Sequence, residues 1–106
     1  MVPEVWFGFV EVRQLPGENH PIALTGKGAF TWIACWTVDA ESFRARVGKV
    51  MNEYGLFVVD AEEITTYTKA EEDGIVGAEL ADLYERTRVN ENYCIYGTLH
   101  NYFQDQ

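Results

Sequence analysis

The sequence predicts an α+β fold: a four-stranded, mainly antiparallel sheet with two helices on one face, in the order β-β-α-β-α-β. Four runs rich in β-branched and aromatic residues predict the strands, and two stretches with apolar residues at helical spacing predict the helices. Short connections place each helix beside the strand that precedes it. If the first strand lies between the second and the third, the arrangement is ferredoxin-like.

Length and composition predict a single domain over residues 1–106. Of the 106 residues, 47% are hydrophobic and 14% are aromatic, which is enough to build one core without disulfides or metal ions. We therefore interpret every element below as part of one packed unit.

The first two predicted strands are separated by a long loop. Residues 5–13 predict a strand, because Val, Phe and Trp favour extended backbone. Residues 14–27 predict a loop, in which Pro16 and Pro21 interrupt any regular pattern. Residues 28–38 predict the second strand, and its apolar residues fall on both faces. A strand of that kind is typically central in its sheet and covered on both sides.

Residues 40–54 predict the first helix. Asp39 is a suitable N-cap, because its carboxylate can accept a hydrogen bond from a free amide of the first turn. Gly55 readily adopts the left-handed conformation that ends a helix. Between these two residues, apolar side chains recur at helical spacing and predict one buried stripe. The stripe consists of Phe43, Val47, Val50, Met51 and Tyr54.

The second half of the chain predicts a strand, a turn, a helix and a last strand. Residues 56–67 predict the third strand, with a bend or bulge where the acidic stretch 60–63 interrupts its apolar pattern. Residues 68–75 predict a polar turn, residues 76–87 the second helix, and residues 92–103 the fourth strand.

Negative charge is concentrated in one part of the sequence. Between positions 60 and 85, nine carboxylates stand against one base, Lys69, so this stretch carries −8 of the chain's net charge of −9. The predicted partner-binding residues are Asp60, Glu62, Glu63, Glu71, Glu72, Asp73, Glu79 and Asp82. A solvated face that aids solubility is one interpretation, and a docking surface for a basic protein is the other.

A docking surface of this kind predicts a small acidic protein-binding module. An immunity-type or antitoxin-type inhibitor of a basic protein has the same overall profile, although no motif in this chain identifies one. The charge disfavours nucleic acid and anionic membranes as partners. Asp60 and Glu62 fall on one side of the third strand. A catalytic carboxylate pair is one interpretation, but we favour the other, in which they are edge charges that oppose aggregation.

Two alternative functions remain open at this stage. A sheet with helices on one face leaves its other face open, and here that face is aromatic. Trp32, Trp36, Tyr96 and His100 are the residues that would bind a small ligand there, or take part in catalysis. The same face would alternatively be covered by the 14–27 loop or by a second copy of the chain, and the second copy predicts a structural homodimer.

The sequence predicts no catalytic residue, metal site or cofactor, and the protein is not expected to be an enzyme. Cys35 and Cys94 form no CxxC pair, and we interpret them as small buried side chains in a reducing compartment. His100 and Cys94 lie six residues apart, which is about 20 Å along a strand, so they cannot act together. With neither a signal peptide nor an apolar run of about 18 residues, the expected location is the cytoplasm.

Overall fold

An antiparallel sheet with helices packed against it forms the described part of the molecule. The computed structural model describes residues 2–17, 24, 26 and 28–102. The strands in these ranges are β1 (Glu4–Gln14), β2 (Gly28–Thr37), β3 (Leu56–Thr66), β4 (Ile95–Tyr96) and β5 (His100–Tyr102). The helices are α1 (Ala40–Glu53), α2 (Tyr67–Glu72) and α3 (Ala78–Arg88). The α+β class and the antiparallel sheet are confirmed.

The strand order is β3-β1-β2-β4, and β5 pairs with a different part of β2. β1 and β2 pair without interruption from Glu4 opposite Thr37 to Val12 opposite Ala29. β1 therefore lies between β2 and β3, which is the position on which the predicted arrangement depends. Among the described strands, β3 pairs with β1 alone and forms one edge of the sheet.

Alternate residues of β1 and β2 face opposite sides of the sheet, and each side carries its own buried cluster. The α1 face carries Val10, Val12, Ala29, Ile33 and Cys35, which pack with Phe43, Val47 and Met51 of α1. The α3 face carries Val5, Phe7, Ala34, Trp32 and Trp36, which pack with Leu80 and Leu83 of α3.

The two predicted helices thus pack against opposite faces, and the prediction that both cover one face is not confirmed. The ferredoxin-like arrangement, which requires both helices on the same side, is not confirmed either. The physical reason lies in β2, whose residues are apolar on both sides. Ile33 and Cys35 are buried on one side of the sheet and Ala34 is buried on the other, so each side must be covered by a different helix.

α1 forms where the sequence predicted it. Asp39 caps its start by accepting a hydrogen bond from the Ser42 amide at 2.7 Å. Phe43, Val47 and Met51 are buried along one side. The helix ends at Glu53, one residue before the predicted end, and Gly55 follows with a left-handed φ of 85°.

β3 contains two bulges, one of which was predicted within residues 60–63. Its pairing with β1 shifts twice, so that Glu63 and Val59 are extra residues without a counterpart on β1. Glu63 adopts a φ of 52°. The bulges keep the apolar positions 56, 58, 61 and 64 on the α1 face, whereas in a regular strand position 61 would face the opposite side from the other three.

α2 was not predicted, because residues 68–75 were interpreted as a polar turn. Thr66 caps the helix by accepting a hydrogen bond from the Lys69 amide at 3.0 Å. The Tyr67 ring lies 5.8 Å from the Phe7 ring, and Ala70 is fully buried. Two apolar contacts thus hold a helix whose other residues are polar, and two positions are too few to show a helical period in the sequence.

The predicted fourth strand, 92–103, is divided into β4 and β5. Ile33 pairs with Tyr96, but Phe30 pairs with His100, so the last segment contains one extra residue between the two strands. The side chains of Tyr96 and His100 consequently fall on opposite faces of the sheet. Phe103 and most of the predicted 14–27 loop lie outside the described residues.

α3 begins at Ala78, two residues later than predicted, with Gly77 at its N-cap. No helix within the described ranges has the length and apolar character that a bilayer crossing requires.

Candidate functional site

The predicted acidic residues are all exposed, but they lie on three elements. Asp60, Glu62 and Glu63 belong to β3. Glu71, Glu72 and Asp73 belong to α2 and its C-cap, and Glu79 and Asp82 belong to α3. The three groups differ in how many of their carboxylates form an ion pair or accept a hydrogen bond from a neighbouring residue.

The carboxylates of α3 are largely matched by local partners. Asp82 accepts from Arg86 at 3.1 Å, and the Glu79 carboxylate lies 3.4 Å from the Thr98 amide. Glu79 also approaches Gly97 so closely that a Cβ there would lie 2.6 Å from its Oε1 atom. Exposed ion pairs of this kind add little stability, but they reduce the field that α3 presents to a partner.

Asp60 and Glu62 of β3 face the α3 side of the sheet beside β1. Asp60 pairs with Glu11 across the strands, and Glu62 pairs with Phe9. These residues line a cavity of about 230 Å³, which we call the acidic aromatic pocket: Phe9, Glu11, Phe30, Asp60 and Glu62. Three carboxylates therefore meet on one side of the sheet.

Aromatic rings form the other part of this pocket. The rings of Phe9 and Phe30 stack with centroids 5.6 Å apart and an interplanar angle of 5°. The Trp32 ring lies 5.2 Å from Phe9 at an angle of 55°. Ring faces carry partial negative charge, so rings and carboxylates together attract a cation. Arg13 lies 4.0 Å from Glu11.

α2 places further carboxylates on the same side of the sheet. Its Tyr67 ring stacks on Tyr84 of α3 at 3.8 Å and contacts Phe7 of the α3 face. Burial, and then the negative charge of Glu71, raise the pKa of the Tyr67 hydroxyl. Glu71 thus lies beside Tyr67, and Glu72 follows it at the end of the helix.

The structure does not bring together the four residues predicted to bind a ligand. Trp36 lies under α3 and donates from its indole nitrogen to the Thr87 carbonyl at 2.8 Å. Tyr96 packs with the α1 cluster, and His100 is exposed opposite Phe30. Only Trp32 belongs to the aromatic group at the pocket.

Sequence reasoning missed Glu11, Phe9 and Phe30 as site residues. Their alternation along β1 and β2 was visible, but their meeting with Asp60 and Glu62 depends on the strand order and register. Within the described ranges, no three His, Cys, Asp or Glu side chains are grouped so as to hold a metal ion.

In comparisons with known proteins, no protein-family model, curated protein or solved structure matches the chain. What the described residues define is a class, namely an α+β protein with an acidic surface centred on an aromatic cavity.

Proposed function

We propose that the protein binds a basic protein partner through the acidic aromatic pocket and the carboxylates around it, as an inhibitor of the immunity or antitoxin type does. The observation that carries this proposal is the convergence of Glu11, Asp60 and Glu62 on the stacked rings of Phe9 and Phe30. Carboxylates alone are typical of a solvated face. Carboxylates beside half-buried aromatic rings form a site with a preferred ligand.

An arginine side chain is the group that fits this pocket best. Its guanidinium is planar, so it can stack on an aromatic face while its edge donates to carboxylates. Paired hydrogen bonds of this charge-assisted type are about twice as strong as neutral ones. A cavity of about 230 Å³ accommodates one such side chain and excludes a folded segment.

The α2 carboxylates have a different role in the proposal. Glu71 and Glu72 are exposed and lie on the pocket side of the sheet. At physiological salt the Debye length is about 8 Å, so these charges act mainly during the final approach of the partner. Binding then blocks the partner's basic surface by steric occlusion.

The remaining sequence predictions belong to the same proposal. Like charge would repel nucleic acid and anionic membranes, so neither is proposed as a partner. The proposed location is the cytoplasm, and no catalytic step, metal ion or cofactor is part of the mechanism.

A free organic cation is the second candidate ligand, because the stacked Phe9 and Phe30 rings would bind it in the same way as a partner's arginine. A homodimer through this face has less support. Two copies would bring the carboxylates of both pockets together, and like charges at an interface disfavour association.

The test compares two double variants that remove the same amount of charge. Asp60→Asn/Glu62→Gln alters the pocket, whereas Asp82→Asn/Glu85→Gln alters carboxylates that Arg86 and Arg88 already neutralise. Each protein is immobilised and used to capture proteins from its native cell at low and high salt, with mass spectrometry as the readout. We expect the wild type and the α3 variant to capture a basic protein at low salt and to release it at high salt. The pocket variant should capture at least about tenfold less of that protein.

Equal losses in both variants would show that net charge, and not the pocket, governs capture. Recovery of only neutral or acidic proteins would contradict the proposal. If guanidinium compounds protect the wild type from thermal unfolding while no protein is captured, the free-cation alternative is the correct one.

A further inference from the structure

The register between β2 and β4 places the two cysteines opposite each other. Ala34 pairs with Ile95 in an antiparallel arrangement. One step further along this register, Cys35 stands opposite Cys94. Both thiols are free and buried on the α1 face.

The hydrogen-bond pattern defines what kind of pair they form. The Gly97 amide donates to the Trp32 carbonyl at 2.9 Å, which marks these two residues as a hydrogen-bonded pair. Such pairs alternate along antiparallel strands, so Cys35 and Cys94, three steps away, form a non-hydrogen-bonded pair. In pairs of this type the Cα atoms lie about 4.5 Å apart, within the range of about 4.4–6.8 Å that a disulfide spans.

The side chains are already in contact. A hydrogen bond joins the thiols, and it lowers the pKa of Cys94, to which the positive charge of Arg46 also contributes. The same hydrogen bond, followed by burial, raises the pKa of Cys35. The Cys94 thiol therefore ionises more readily than the Cys35 thiol.

Arg46 is held in place by both segments that carry the cysteines. Its guanidinium donates to the carbonyl of Trp36, which follows Cys35 on β2, and to the carbonyl of Glu91, which precedes Cys94, at 2.9 Å. Its position on α1 is thereby fixed beside both thiols.

Only one of the two cysteines lines an opening to solvent. A cavity of about 380 Å³ is lined by Tyr54, Arg86, Tyr93, Cys94, Ile95 and Tyr96. Cys35 has no exposed surface, whereas Cys94 is 5% exposed. A small reactant can thus reach Cys94, and Cys35 can react only with Cys94.

We propose that Cys94 and Cys35 form an oxidisable dithiol site that reacts with low-molecular-weight disulfides of the glutathione class. The Cys94 thiolate attacks one sulfur of the reactant, forms a mixed disulfide and releases one thiolate. Cys35 then loses its proton and attacks the Cys94 sulfur, which forms the protein disulfide and releases the second thiol. In total, the protein dithiol is oxidised by two electrons, and one small disulfide is reduced to two thiols.

Oxidation would join the residue that precedes β4 to β2 by a covalent bond. The bond joins positions far apart in sequence, and closing a long loop restricts the unfolded chain. This site is independent of the proposed partner binding, because it lies on the α1 face, opposite the acidic aromatic pocket.

The experiment treats the native protein with oxidised glutathione, blocks the remaining thiols by alkylation and determines the mass. We expect the wild type to lose two hydrogens, to bind no alkylating agent, and to melt roughly 10 °C higher after oxidation. Cys35→Ser should stop at the mixed disulfide and gain one glutathionyl group. Cys94→Ser should not react while folded, since its remaining thiol is buried.

Circular dichroism checks that both serine variants are folded. A serine variant that does not fold is replaced by the alanine variant at the same position, Cys35→Ala or Cys94→Ala. Denatured wild type, in which both thiols react, is the positive control. A folded wild type that does not react, or that accumulates only the mixed disulfide, would overturn the proposal. Equal reaction of folded Cys94→Ser and wild type would overturn the assigned order of attack.

Discussion

Asp39 shows how one side chain at a helix start couples stability to pH. Its carboxylate accepts from the Ser42 amide, and the hydrogen bonds from the Ser42 backbone and hydroxyl lower its pKa. A carboxyl group whose pKa is lower in the folded than in the unfolded state stabilises the fold above the unfolded pKa. This contribution is lost as the pH falls through the folded-state pKa.

Asp39→Ala should therefore lower the Tm at neutral pH by roughly 5 °C. The difference from the wild type should narrow as the pH falls below about 4, where the wild-type carboxyl is protonated as well. Asp39→Asn keeps an oxygen acceptor and should melt close to the wild type at neutral pH. Thermal melts followed by circular dichroism measure all three proteins, and a deficit of Asp39→Ala that does not change with pH would contradict this account.

Arg46 should control the reactivity of Cys94 through its charge. Because its positive charge contributes to lowering the pKa of Cys94, Arg46→Gln should move the midpoint of the alkylation rate against pH to a higher value. Arg46→Lys should restore most of the shift. A role in packing alone would raise the alkylation rate at every pH without moving the midpoint, and the rate profile distinguishes the two.

At the scale of elements, two glycines that look alike in the sequence have opposite roles. A Cβ on Gly8 of β1 would lie 2.6 Å from Cε1 of Phe43, a fully buried ring of α1. A Cβ on Gly48 of α1 would meet no atom within 4 Å. The absence of a side chain thus allows α1 to approach the sheet at Gly8 and serves no packing purpose at Gly48.

Gly8→Ala should destabilise the protein by about 1–3 kcal/mol, because the Phe43 ring must move within a packed core. Gly48→Ala should stabilise it by up to about 1 kcal/mol, because alanine restricts the unfolded chain and favours helix. Urea denaturation measures both, and unchanged m-values would show that the free energy of unfolding has changed without a change in the surface exposed on unfolding. A neutral Gly8→Ala would mean that α1 does not pack against the sheet at this position.

The elements that the sequence predicted well are those whose signals are local. α1 has an N-cap, an apolar stripe and a terminal glycine within 17 positions, and its position was correct to one residue. The bend at 60–63 was predicted because charged residues interrupt an apolar run. α2 has only Tyr67 and Ala70 as anchors, and their burial depends on Phe7 and Tyr84, which lie elsewhere in the chain.

The candidate sites could not be predicted in full, because they depend on strand register. The acidic positions 60 and 62 were identified from their charge, but Glu11 joins them only through the pairing of β1 with β3. Cys35 and Cys94 are neighbours only in one register of β4 on β2, and a shift of one residue would turn one thiol to the other face. No local pattern in the sequence specifies either register.

At the scale of the whole molecule, the distribution of charge follows the layout of the sheet. Asp82 and Glu85 of α3 form ion pairs with arginines, whereas the carboxylates of β3 lie along a strand that borders only β1 among the described strands. An edge strand presents unpaired backbone groups and can pair with another copy. Phe57 and Val59, which are 37% and 45% exposed, lie on this same strand.

The β3 carboxylates should therefore keep the molecule from associating with itself, in addition to their proposed role in binding. The triple variant Asp60→Asn/Glu62→Gln/Glu63→Gln should self-associate at concentrations where the wild type does not, because neutral side chains no longer repel a second edge. Light scattering and sedimentation velocity measure the association. Glu71→Gln/Glu72→Gln/Asp73→Asn is the matched control, since it removes the same charge from α2 and leaves the edge strand unchanged. If both variants associate equally, net charge alone prevents wild-type molecules from associating with each other. Association of the β3 variant alone would show that the edge is the surface these charges protect.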